Sequence, residues 1–221
     1  MESHSNLDGQ EQARVPTARA FGMHEGFATM IGKLIDMALS LSECVAAADN
    51  RYMSRCQKLR EEVRFHQKSL TRDLLASPEE KDFLKVVIHL PFRLETIGER
   101  LECILNCFRI RGSSEMRFND DSEAAFQQLL AILIDMMNNL RDAFALPDAI
   151  LVESIIAEGD ELRRLLGILR SSHWSERDTP PLTVQTNVMC LDILDSIKSA
   201  NEDIAAICKN LLDLGRRSQQ A

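Results

Sequence analysis

The chain has 221 residues, of which 45% are hydrophobic, 27% charged and only 5% aromatic. With nine Gly and six Pro, this balance favours a globular protein of long helices and argues against a disordered chain, a β-sandwich or a β-barrel. The net charge of −8 lies entirely in residues 113–221, so there is no basic surface for nucleic acid.

The first half of the chain reads as a tail followed by helices. Residues 1–20 are polar and predict a flexible tail. Beyond them, apolar residues recur about every 3.5 positions, which is typical of amphipathic helices. Three helices are predicted here, over residues 27–48, 52–75 and 78–109. The third begins at a Ser77-Pro78 cap, Pro91 predicts a kink or local break in it, and nearby His89 is predicted to be a packed core side chain.

The second half repeats this layout. Residues 110–121 are polar and contain Gly and Ser, as expected of a linker. Three further helices are predicted, over residues 122–146, 148–170 and 182–214. We therefore predict a first three-helix unit over residues 21–112 and a second over residues 113–221.

The two halves also share sequence. Residues 27–49 and 126–148, 99 positions apart, have eight identities in 23 positions, including a shared "LIDM". The third helices align best at an offset of 103, which pairs Glu99 with Glu202. Because such helices cannot bury their apolar stripes alone, the sequence predicts an all-α protein of two pseudo-repeated three-helix bundles with six long helices.

The cysteines indicate the compartment. Six are present, none forms a CxxC pair, and they are expected to be buried, reduced thiols that act as small hydrophobic residues. A disulfide framework is typical of smaller secreted chains.

No apolar run is long enough to span a membrane, and the first 20 residues lack the apolar core of a signal peptide. A cytoplasmic protein is the prediction.

Motifs of catalysis are absent from the sequence. It contains no glycine-rich phosphate loop, no HExxH, no ExxH pair of a di-iron bundle and no GxSxG elbow. The segment that stands out is "RLETIGERL" at 93–101, where Glu95 and Glu99 lie four apart on one helix face. Two such carboxylates could bind a hard or borderline cation, or they could form surface pairs with neighbouring arginines.

This layout resembles the PhoU family. The segment "LETIGER" at 94–100 is similar to the family's Leu-Glu-x-Ile-Gly-Asp signature, with Glu99 in place of Asp, and "EGDELRRLL" at 158–166 resembles PhoU-like accessory proteins of Pit-type phosphate transporters. The resemblance covers about residues 22–215. It implies a non-catalytic cytoplasmic regulator that binds a membrane phosphate transporter, a sensor histidine kinase or both, and that forms a homodimer.

The resemblance also implies metal. Family members often hold a divalent or iron-type metal ion on paired acidic motifs, and Glu95 and Glu99 match that pair in the first copy. In the second copy the equivalent positions are Lys198 and Glu202, and the lysine would repel a cation. Asp195, on the same helix, is the candidate replacement. The candidate metal ligands are thus Glu95, Glu99, Asp195 and Glu202.

Two other functions stay open from the sequence. A helical bundle that binds metal could be a metal-dependent enzyme. A helical protein without catalytic groups could equally be an adaptor unrelated to phosphate.

Overall fold

The computed structural model describes residues 21–47, 50–77, 81–112, 120–146, 148–175 and 184–218. Within these ranges the secondary structure is entirely helical, as the sequence predicts. The helices are α1 Phe21–Ala47, α2 Asn50–Ala76, α3 Lys81–Val87, α4 Leu90–Gly112, α5 Asp120–Ala145, α6 Ala149–Ser175 and α7 Val184–Ser218. Six are long and α3 has seven residues. The predicted tail over residues 1–20 lies outside the described part.

The predicted third helix is divided in two. Ile88 and His89 form a turn between α3 and α4, just before Pro91. Proline lacks an N–H and its ring crowds the preceding turn, so a break here is the expected result. The Ile88 N–H still donates to the Leu84 carbonyl at 3.0 Å. The prediction for His89 is wrong, because the turn leaves its side chain exposed rather than in the core.

Helices α1, α2 and α4 pack on one another and form the first bundle, while α5, α6 and α7 form the second. Helix α1 also packs along α5, and α4 along α7, so equivalent helices of the two bundles meet. The short α3 contacts α2, α4 and α7. The fold class predicted from the repeat is confirmed.

The two bundles share one hydrophobic core. Phe27, near the start of α1, stacks on Phe144, near the end of α5, with ring centroids 4.7 Å apart. These two helices are therefore antiparallel where they meet. On the other pair, Arg93 Nη1 of α4 donates to Asp203 Oδ1 of α7 at 3.2 Å. The bundles thus meet through apolar stacking on one side and through an ion pair on the other.

Candidate functional site

The first repeat contains a buried arginine surrounded by glutamates. Arg60 of α2 is only 1% exposed and reaches across to α4. Its Nη2 donates to Glu95 Oε1, its Nε lies 3.2 Å from Glu102 Oε2, and its Nη2 lies 3.5 Å from Glu99 Oε1. The signature carboxylates Glu95 and Glu99 thus meet at one guanidinium.

A glycine of the signature lies where α4 packs closely on α1 and α2, beside this arginine. A Cβ built on Gly98 would lie 3.3 Å from Leu34, 3.4 Å from Val63 and 3.5 Å from Arg60 Nη1. The absence of a side chain at Gly98 lets α4 approach α1 and α2 closely. Arg60 Nη1 faces this contact and is buried without a hydrogen-bond partner in the described part of the chain.

A second arginine extends the network toward solvent. Arg64, one helical turn after Arg60, is half-buried and lies 3.0 Å from Glu61. It also lies 3.9 Å from Glu95 and 3.8 Å from Glu102. Arg60 and Arg64 therefore both lie close to the carboxylates of Glu95 and Glu102. Along α4, the side chain of Glu99 is more exposed than that of Glu95.

In the second repeat the equivalent helices make different contacts. Lys198 Nζ lies 3.7 Å from Glu202 Oε1, one turn apart on α7. Asp195 pairs with Arg170 of α6 at 2.7 Å. Buried Asn201 donates from Nδ2 to the Gly159 carbonyl at 2.8 Å. Asp195 and Glu202 are thus paired with bases at separate points.

The structure tests whether these residues fit a metal ion. Glu95 and Glu99 are brought together, but a guanidinium lies between them and Glu102, and in the other repeat Asp195 and Glu202 contact different bases. Among the described residues, no three His, Cys, Asp or Glu side chains are placed to hold a metal. The donor set of this structure does not fit a metal ion.

The central residue, Arg60, is not among the site residues that the sequence predicts. A signal was available, because Arg60 follows Cys56 by four positions and precedes Val63 by three, on the apolar stripe of its helix. A charged residue at such a position is rarely buried without a partner. The glutamates of α4 are that partner.

Burial also sets the protonation of groups outside this network. The pKa of Asp203 is raised because the carboxyl is desolvated, although Arg93 and Arg100 act in the opposite direction. Burial raises the pKa of the Cys56, Cys190 and Cys208 thiols to about 12. These thiols are neutral at physiological pH.

No family model matches the sequence, and no curated protein matches it in sequence. Solved structures match its fold. A phosphate transport system regulatory protein PhoU from Streptococcus pneumoniae is similar over 89% of this chain and 94% of its own, with a TM-score of 0.76 and 17% identity. The chain has the PhoU fold.

Other PhoU structures agree. PhoU from Pseudomonas aeruginosa is similar over 89% of this chain and 97% of its own, with a TM-score of 0.79 and 13% identity. A PhoU-like protein from Shewanella oneidensis gives a TM-score of 0.63 at 15% identity over 88% of this chain. The match covers about 89% of the chain, so the resemblance to PhoU is confirmed at the level of fold. None of the helices described here is long and apolar enough to cross a membrane.

Proposed function

We propose that this chain is a PhoU-like regulator of phosphate uptake and phosphate signalling, which binds a membrane phosphate transporter, a sensor histidine kinase or both. The observation that carries the proposal is the PhoU fold, present over 89% of the chain and matching a phosphate transport system regulatory protein. A fold alone does not define a function. The repeat and the third-helix signature add to it.

The proposed action is by binding rather than catalysis. The regulator binds one conformation of its partner more tightly than another and shifts the partner's equilibrium toward it. Charged groups of α2 and α4 pair with one another across the helices. The protein would act in the cytoplasm, and as a homodimer.

Charge favours a membrane protein as the partner. The second repeat carries the whole net charge of −8, and Asp135 of α5 and Glu153 of α6 are exposed. Cytoplasmic loops of membrane proteins carry an excess of Lys and Arg. Opposite charges on the two surfaces would speed association and fix its orientation.

Deletion of the gene in its host tests the function. We expect altered phosphate uptake and altered phosphate-responsive expression, both restored by the wild-type gene. If both are unchanged by deletion, the proposal is wrong. Normal phosphate behaviour together with another captured partner would instead favour a helical adaptor.

Capture from detergent-solubilised membranes tests the partner. We expect the tagged chain to retain a phosphate transporter or a sensor kinase, and added salt to weaken the complex. The double variant Asp135→Asn with Glu153→Gln should reduce capture, whereas Asp73→Asn, an exposed acid of the first repeat, is the matched control. Equal capture by both variants would contradict a role for the second repeat's charge.

A further inference from the structure

Four positions can be compared between the repeats. By the offsets of the sequence repeat, Gly159 of α6 stands where Arg60 is in α2. On the third helices Lys198 stands for Glu95, Asn201 for Gly98 and Glu202 for Glu99. Two of these differences change the charge. The second helix loses a positive charge, from Arg60 to Gly159, and the third helix gains one, from Glu95 to Lys198.

In the first repeat the positive charge comes from the second helix. Arg60 is almost fully buried and contacts Glu95, Glu99 and Glu102 of α4. Gly98 lies beside its Nη1. The guanidinium therefore neutralises the acids of the signature from within the bundle.

In the second repeat the positive charge beside Glu202 comes from the third helix itself. Position 159 is glycine, and a Cβ there would lie 2.6 Å from Asn201 Oδ1, so no large side chain fits. Lys198 provides the charge instead, and it lies 3.7 Å from Glu202, the equivalent of Glu99. Compared with the first repeat, the second helix therefore lacks the arginine at this position, and the third helix carries a lysine one turn before the glutamate.

We propose that Arg60 and Lys198 are fixed cations, one in each repeat, that take the place of a metal ion beside the acids of α4 and α7, and that the chain functions without bound metal. The inference is independent of the proposed function, since it concerns only which cation the carboxylates contact.

The physical basis is competition for the same oxygens. A divalent cation needs several oxygen ligands within about 2.0–2.6 Å, and the α4 carboxylates already accept charge-assisted hydrogen bonds from Arg60. To bind there, the ion would have to leave a buried guanidinium without its partners, which is strongly unfavourable. On α7 an ion at Glu202 would face the Lys198 ammonium directly.

The wild-type chain provides the first test. Purified full-length protein is incubated with Mn²⁺ or Zn²⁺ and dialysed, and its metal content and thermal midpoint are measured with and without EDTA. We expect no stoichiometric metal and no shift in the midpoint. One ion per chain, lost in the Glu95→Gln variant, would overturn the proposal.

Removal of each cation provides the second test. Arg60→Gln should create Mn²⁺ binding in the first repeat, seen as a midpoint raised by Mn²⁺, and adding Glu95→Gln should weaken that binding by about tenfold or more. Arg60→Lys keeps the charge, and Arg64→Gln removes the neighbouring half-buried guanidinium. Both should stay unresponsive to metal.

The exposed site on α7 covers the case in which Arg60→Gln does not fold. Lys198→Glu places two carboxylates four residues apart with Glu202, and it should bind Mn²⁺ more tightly than wild type. Lys209→Glu, an exposed lysine later on α7, is the matched control and should not bind. If neither Arg60→Gln nor Lys198→Glu gains affinity for Mn²⁺, the two cations do not hold a metal's place.

Discussion

Arg60 shows how a charged side chain is accommodated inside a helical bundle. Its guanidinium contacts three carboxylates of α4, and an isolated buried charge would be strongly destabilising without them. A separate ion pair joins α1 and α2, where Lys33 Nζ lies 2.7 Å from Glu62 Oε2 and both side chains are partly exposed. The contribution of an ion pair to the stability of the fold therefore depends on how deeply its charges are buried.

The ion pair of Glu62 predicts that the stability of the folded protein decreases in acid. The Lys33 ammonium hydrogen-bonds its carboxylate and lowers the pKa of Glu62. A lowered folded-state pKa stabilises the protein above the ordinary glutamate pKa, and this contribution is lost as pH falls through the folded-state value. Glu62→Gln should lower the free energy of unfolding at neutral pH by about 0.5 kcal/mol, because the pair is partly exposed. Urea denaturation at neutral and acid pH should show the difference disappear in acid.

Asp203 predicts the opposite dependence of stability on pH. Burial raises its pKa, so its stabilising contribution is complete below the ordinary aspartate pKa and is lost as pH rises through the raised value. Asp203→Asn keeps an oxygen for Arg93 but removes the buried charge. It should therefore not lower the free energy of unfolding at neutral pH. Equal losses in the Glu62 and Asp203 variants would contradict this assignment.

Thiol reactivity is expected to be confined to one cysteine. All six cysteines are free. Five are buried as predicted, but the prediction is wrong for Cys103, which is exposed on α4. The thiolate is the reactive form, and burial raises the pKa of Cys107 to about 11. Native protein should react rapidly with Ellman's reagent at a single thiol, and Cys103→Ser should remove that fast phase. A fast phase that survives in Cys103→Ser would show that a buried thiol becomes accessible.

Close helix contacts depend on glycines placed on different elements in the two repeats. Gly98 of α4 faces Arg60 of α2, whereas Gly159 of α6 faces Asn201 of α7. Each contact pairs a glycine with a buried polar side chain, and the roles of the two helices are exchanged. In each repeat a glycine therefore lies against a polar group of the facing helix.

Two alanine substitutions on α6 should separate packing from helix propensity. In Gly159→Ala the new Cβ would lie 2.6 Å from Asn201 Oδ1 and 3.2 Å from Met136, so Asn201 must shift. We expect a loss of about 1–3 kcal/mol in the free energy of unfolding. Gly167→Ala meets nothing within 4 Å and should add about 0.5–1 kcal/mol through helix propensity. Chemical denaturation measures both, and a stabilising Gly159→Ala would contradict the contact.

The continuous core predicts that the two repeats unfold together. Phe27 and Phe144 are both buried and stack across the bundles, so Phe144→Ala should cost about 3–5 kcal/mol. Because the core is shared, we expect hydrogen exchange to increase in α2 as well as in α6. Phe65→Ala is the control, since Phe65 is 71% exposed and should change stability by about 0.5 kcal/mol or less. Faster exchange in α6 alone would show that the repeats unfold independently.

Much of the architecture could be predicted from local sequence patterns. The second helix was expected over residues 52–75 and is Asn50–Ala76, and the break before Pro91 was placed correctly. The internal repeat predicted two bundles, which the structure confirms. These features depend on neighbouring residues, where hydrophobic period, caps and proline geometry act directly. The partner, dimer and domain-boundary predictions stay predictions, whereas for the metal ion we propose that Arg60 and Lys198 take its place.

The packing of helix on helix could be seen only in the tertiary structure. Hydrophobic periodicity indicates which face of a helix is buried, but it does not specify the neighbouring helix or the register between them. The meeting of Arg60 with Glu95, 35 positions later, and the stacking of Phe27 on Phe144 both depend on that choice. The sequence alone determined the helices and their duplication, because those arise from short-range interactions. The structure decided that the signature glutamates contact an arginine, because only the packed bundle brings those distant side chains together.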